Sequence, residues 1–226
     1  VAGNEIYLLA PLALAVLDWV AVAYNGRRLE YFAKPAVMVA LLVWFALVSG
    51  LAWPRWLFVL ALLLSLAGDV FFMLPSGLYL AGLASFLLAH LAYVTGFSIQ
   101  PPPGGLTPLG LAVLLAAMAV LLLRRITEGV QRQAKGERLR IPVLIYGAVI
   151  TLMLFSALLT LLRPDWPLAA ARLVSAGAAL FFISDSLHAW DRFVEKIRNG
   201  RLILMIAYHL GQIALIAGIA LRYPHP

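Results

Sequence analysis

Six ionisable side chains interrupt otherwise apolar stretches of this sequence: Asp18, Asp69, His90, Asp185, His188 and His209, with Lys34 at the head of another such stretch. A charge in hydrocarbon costs at least about 2.5 kcal/mol, so each of these groups needs a reason. Two carboxyls sharing a poorly hydrated site can divide acid and base duties between them, one holding a proton and the other ionised. Asp69 and Asp185 are the expected catalytic pair. Asp18 is a candidate partner for Lys34, and His90 with Tyr93 shares one helical face. His188 and His209 read either as packing groups or as site residues. His90, His188 and His209 with Asp69 would be enough ligands for zinc, but no two of these histidines stand three or four residues apart. Neither a metal nor a cofactor is expected. No glycine-rich phosphate loop, nucleophile-elbow serine or HExxH motif is present.

The elements that must carry these groups follow from composition. Of the 226 residues, 64% are hydrophobic and 12% charged, against roughly 25% charged in soluble domains. The expected fold class is all-α, a polytopic transmembrane helix bundle forming one domain over 1–226. Backbone groups cannot be left unpaired in lipid, so each span should be a helix of about 20 residues. Eight runs qualify: 6–24, 34–50, 55–74, 77–97, 106–123, 141–162, 168–189 and 201–222. Between them fall Asn25-Gly26, Trp53-Pro54, Pro75-Ser76-Gly77, the run Pro101 to Gly105, and Pro164 to Pro167, all turn signals. There is no cysteine, hence no disulfide or thiolate site. No basic segment precedes the first apolar run, which Asp18 interrupts, so a cleaved signal is not expected.

Charge sets the expected orientation. Thirteen of the 17 Lys and Arg residues fall at one end of the bundle, in or beside the loops after spans one, five and seven. The other end has Arg55, Arg163, Arg172 and Arg222. By the positive-inside rule the basic end is cytoplasmic and both termini lie on the other side. The net charge of +7 is then an orientation signal, and nucleic acid is not an expected partner. Segment 124–140 is long enough for a basic helix lying on the membrane surface, or is simply a determinant of topology. The membrane would be the inner, plasma membrane in a bacterium.

At 1.5 Å per residue, Asp69 and Asp185 each lie roughly 7 Å from the cytoplasmic end, with His209 at about 12 Å and His90 at about 20 Å. Gly82, Phe86, His90, Tyr93 and Phe97 form one stripe on span four. Ser65 with Asp69, then Phe181 with Asp185 and His188, and Tyr208 with Gln212 mark inward faces on spans three, seven and eight. Spans three and seven each carry an aspartate, and spans four and eight each a histidine. A parallel repeat of four helices, 1–105 and 106–226, would account for this; the likeness is faint, and chance accounts for it as well.

Several strings in this order resemble the lysoplasmalogenase (YhhN-like) membrane protein family. They are Phe32-Ala33-Lys34-Pro35, Ser65 to Asp69 with Leu74-Pro75, and Gly82 through Phe86 to His90-Leu91-Ala92-Tyr93. Gly177 to Ser186 follows, then Trp190, Arg192-Phe193 and Tyr208 through Gln212. The resemblance runs from Phe32 to about Ile216. His209 stands where the family pattern has an aromatic residue, and His188 where it more often has a small or apolar one. The resemblance implies hydrolysis of the vinyl ether bond of lysoplasmalogens to a fatty aldehyde and a glycerophospho-amine. Asp69 and Asp185 would be the catalytic pair. From their charge and inward faces, Lys34, His90, Tyr93, Tyr208, Gln212, Asp18 and Arg192 are the expected substrate-binding set. The expected partners are a lysophospholipid substrate and membrane lipid, with no protein partner. A proton-coupled small-molecule or lipid transporter, or a metal-dependent lipid amide hydrolase, is the alternative.

Overall fold

A computed structural model describes residues 8–74, 76–133 and 136–224. Positions 6 and 7 of the first expected span, Pro75 and Lys135 lie outside them. The described chain forms eight α-helices: α1 (Leu9–Ala23), α2 (Arg27–Ser49), α3 (Trp56–Met73), α4 (Tyr79–Phe97), α5 (Leu106–Gln131), α6 (Gly136–Leu158), α7 (Leu168–Phe193) and α8 (Gly200–Arg222). Seven of them are long and apolar enough to cross a membrane; α1, with 15 residues, is shorter. The protein is a multi-pass membrane protein.

The helix ends differ from the sequence expectation in an instructive way. Spans two and six were expected to open beside Pro35 and Pro142, where proline suits a first helical turn. Both prolines instead lie inside their helices, which begin upstream at Arg27 and Gly136. Packed neighbours allow an internal proline in such a helix. Segment 124–140 is likewise no separate surface helix, since α5 continues to Gln131 and α6 begins at Gly136. A continued helix satisfies its own carbonyls where a break would leave them open. Helix α7 also runs on to Phe193, so Asp185 lies about 12 Å from its end, further than Asp69 from the end of α3.

Consecutive helices other than α4 and α5 pack as neighbours, most extensively α7 with α8 and α3 with α4, while α4 also meets α6 and α8 meets α1 and α2. Asn25 and Asn199 take left-handed backbone conformations in the turns before α2 and α8, which asparagine tolerates better than most residues. Between α7 and α8 the backbones nearly touch. A Cβ on Gly177 would sit 2.7 Å from the Gly211 carbonyl, and one on Gly211 would sit 3.0 Å from the Gly177 carbonyl. Lipid tails are as apolar as leucine, so such close packing, rather than water exclusion, holds membrane helices together. Ser184 adds a bond to the Leu204 carbonyl at 2.9 Å, fixing the register of α7 against α8.

At the end away from the basic loops, Arg163 donates to the carbonyls of Phe97 and Gln100 at 2.6 and 2.9 Å, closing the end of α4. Arg222 pairs with Asp165 at 3.1 Å. Helix α5 is the outlier of the bundle: Leu109, Val113 and Leu121 are exposed along it, as suits a lipid-facing helix.

Candidate active site

Asp69 and Asp185 line one cavity of about 430 Å³ at the basic end of the bundle. Its inner wall is aromatic: Phe86 and Tyr208 face it, and both stand edge-on to the buried Phe181, at centroid distances of 6.1 and 5.4 Å. Its mouth is charged, with Arg27, Glu30, Asp191, Arg192, Lys196 and Arg201. Helices α2, α3, α4, α6, α7 and α8 all contribute, so the site exists only in the assembled bundle.

The two carboxyls are held differently. Asp69 is almost fully buried and both its oxygens are engaged: Oδ1 lies 3.0 Å from the Lys34 ammonium, and Oδ2 accepts the Tyr208 hydroxyl at 2.6 Å. Lysine and aspartate thus compensate each other's charge away from water, which a buried ion pair requires. Asp185 has no lysine or arginine partner among the described residues. Its Oδ2 accepts a short hydrogen bond from Tyr146 and lies 3.2 Å from His90 Nε2, while Tyr146 and His90 are themselves 3.1 Å apart. Both contacts fall on Oδ2, leaving Oδ1 of Asp185 without a hydrogen-bond partner among the described residues and open to a proton or a substrate.

The other expected residues divide into two groups. Lys34, Tyr208 and Arg192 line the cavity with the aspartates; the Arg192 guanidinium lies 3.8 Å from the centre of the Tyr79 ring, a cation–π contact at the rim. His90 touches the site through Asp185. Tyr93 and Gln212 do not line the cavity. They satisfy one another, Tyr93 donating to Gln212 Oε1 at 2.8 Å and Gln212 to Ser65 at 3.1 Å, and so tie α3, α4 and α8 together behind it.

Asp18 is also remote from the cavity wall, and its expected pairing with Lys34 gives way to Lys34–Asp69. It is fully buried, neither of its oxygens has a hydrogen-bond partner, and His209 Nδ1 is 3.9 Å from its Oδ2. That nitrogen accepts the Trp19 indole N–H at 3.1 Å. His188 lines the cavity with its ring 5.3 Å from that of Phe72. No three His, Asp or Glu side chains come together in a metal-binding group among the described residues.

Tyr146 is the site residue that the sequence reading missed. A tyrosine in an apolar run carries no charge and so raises no alarm; only its one-turn spacing from Pro142, along a face shared with Val143 and Ile150, could have hinted at an inward position. Glu30 and Arg201 were also passed over. They form a short ion pair that joins α2 to α8 beside the mouth.

The family model for the YhhN family matches residues 29–219. Among curated relatives, lysoplasmalogenase TMEM86B of Mus musculus is 31% identical over 193 residues, covering 84% of this chain and 74% of the relative. A lysoplasmalogenase of Mycobacterium bovis is 31% identical over 176 residues, 73% of this chain and 60% of its own length. The membrane protein YhhN of Escherichia coli O157:H7 is 26% identical over 221 residues, 93% of this chain and 98% of the relative. No solved structure matches the chain.

Proposed function

The chain belongs to the YhhN family, and from that membership we propose that it is an intramembrane hydrolase cleaving the vinyl ether bond of lysoplasmalogen. The products are a fatty aldehyde and a glycerophospho-amine. Relatives named lysoplasmalogenase support the substrate. The observation that carries the chemistry is the pair of aspartates in one cavity, one ion-paired and the other held through a single oxygen.

Vinyl ether hydrolysis starts with a proton added to the β-carbon. The double-bond electrons form the new C–H bond, and an oxocarbenium ion is left between the other carbon and the ether oxygen. Asp185 is the donor in this reading, because its Oδ1 is free to carry the proton. Asp69, ion-paired with Lys34, supplies the carboxylate that faces the cation and takes a proton from the attacking water. The hemiacetal so formed collapses to aldehyde, its hydroxyl proton passing to the departing glycerol oxygen. Water in the cavity returns the proton from Asp69 to Asp185. Two carboxyls flanking an oxocarbenium-like transition state is also the logic of glycoside hydrolysis.

Tyr146 and His90 hold Asp185 in place. Arg192 and Arg27, both exposed at the mouth and without an acidic partner among the described residues, take the head-group phosphate by charge-assisted hydrogen bonds. Lys34, expected in the substrate-binding set, is committed to Asp69. The basic end faces the cytoplasm by the positive-inside rule, which places the mouth at the inner leaflet and both termini on the far side.

The test is incubation of purified protein with lysoplasmenylethanolamine in heavy water. Aldehyde carrying one deuterium on the carbon next to the carbonyl supports the reading. Absence of aldehyde, or release of free fatty acid from an ester analogue in its place, would sink it.

A further inference from the structure

A second, narrow and largely apolar cavity of about 40 Å³ lies between α5, α6 and α7, and Asp185 lines both it and the first. The two share Val143, Tyr146, Asp185 and Ala189 and no other residues. Away from these residues the groove runs between Leu122 and Ile126 of α5, Gly147 and Thr151 of α6, and Phe182 of α7. Gly147 sets its width: a Cβ there would come within 2.4 Å of a Leu123 methyl. Helix α5 is the least buried of the seven long helices, so this groove opens toward lipid, whereas the mouth of the main cavity is ringed with charge.

We propose that the aliphatic chain of the substrate leaves the site along the α5–α6–α7 groove, its first methylenes in the groove and the rest in lipid, with Asp185 at the inner end; this rests on the lysoplasmalogen reading above. The polar mouth is the wrong solvent for an alkyl chain, and the groove is an apolar space that shares Asp185 with the site. The chemistry fits the same placement. In a vinyl ether the carbon that accepts the proton is the one bearing the chain, while the ether oxygen leads on to glycerol and the head group. A donor that lines both groove and cavity meets that carbon. Asp69 and Lys34, which line the main cavity alone, face the ether and glycerol side. Lipid already surrounds the chain with apolar groups, so the groove gains little from hydrophobic transfer. Its contribution is position, holding the double bond against Asp185.

The test uses a lysophospholipid whose chain is a non-hydrolysable alkyl ether with a diazirine near the ether oxygen. It is photolysed with the full chain in nanodiscs, and labelled peptides are mapped. Labels within 119–126 or 147–151, displaced by excess unlabelled lysophospholipid, are expected. Labels confined to other helices, or groove labels that excess lysophospholipid fails to displace, would overturn the proposal. Because the probe is not hydrolysed, groove labelling without aldehyde release from the vinyl ether substrate would retire the hydrolase reading and keep the groove. Aldehyde release with labels elsewhere would retire the groove alone. In addition, Ala119→Phe and Gly147→Ala should each lower kcat/KM for long-chain relative to short-chain substrate by about tenfold, the scale of a methylene misfit in an apolar pocket. An unchanged ratio in both folded variants counts against the groove.

Discussion

Tyr208 on α8 donates its hydroxyl to Asp69 on α3 at 2.6 Å across a sequence separation of 139 residues. The other aspartate is held in a corresponding way: Asp185 on α7 contacts His90 on α4 at 3.2 Å. Each carboxyl therefore sits on the third helix of one half of the chain and is met by the fourth helix of the other half. The second helix of its own half supplies the remaining partner, Lys34 for Asp69 and Tyr146 for Asp185. We propose that this crossed pattern reflects an internal repeat of four helices, 1–105 and 106–226. It also makes the site a product of both halves packing together.

Lys34→Met should strand the Asp69 charge in a site where the two side chains are 7% and 1% exposed. Removing one partner of a buried pair costs about 3–5 kcal/mol. The variant should unfold at lower temperature in detergent, and Lys34→Met/Asp69→Asn should recover most of the loss while remaining inactive. A double variant no more stable than the single one contradicts the pairing.

Tyr146→Phe keeps the ring and removes the hydroxyl that holds Asp185. As a positioning residue it should lower kcat by roughly tenfold to a hundredfold, less than the 10²–10⁴ attributed to a general acid itself. KM should barely move and the pH–rate profile should change shape. A purely structural role would lower the unfolding temperature and leave that profile as it was.

Gly211→Val places a branched side chain where even a Cβ would come within 2.9 Å of the Phe181 amide nitrogen. Helices α7 and α8 must then separate, at a cost of about 1–3 kcal/mol or more, and Asp185 moves relative to Tyr208. Thermal unfolding should show the loss, with Gly211→Ala milder. An unchanged midpoint for the valine variant contradicts the close packing.

Arg192→Ala should raise KM for lysoplasmalogen about tenfold, the scale of one lost charge-assisted hydrogen bond, with kcat nearly unchanged. Because the guanidinium is exposed, the difference should shrink as salt is added. An unchanged KM at low salt contradicts phosphate binding at this rim.

The bundle was legible in the sequence because hydropathy reports the solvent directly, and the site because a buried charge is expensive wherever it occurs. Asp69, Asp185 and Lys34 stood out for that reason. What the sequence hid was choice among partners. Lys34 could have met Asp18 or Asp69, and only the packing of α1, α2 and α3 decides between them. Tyr146 stayed invisible because a neutral hydroxyl raises no alarm in an apolar run. Helix ends were misplaced near Pro35 and Pro142 because an apolar run marks only where lipid begins, while the packed bundle extends each helix upstream through charged residues to Arg27 and Gly136.

The most direct test is aldehyde release from lysoplasmenylethanolamine by Asp69→Asn and Asp185→Asn, each checked for wild-type-like folding. Both substitutions should reduce kcat by about a hundredfold or more, and the double variant should be little worse than the poorer single one, as for residues acting as a unit. A folded variant of either kind that releases aldehyde at the wild-type rate would contradict shared catalysis by the two aspartates.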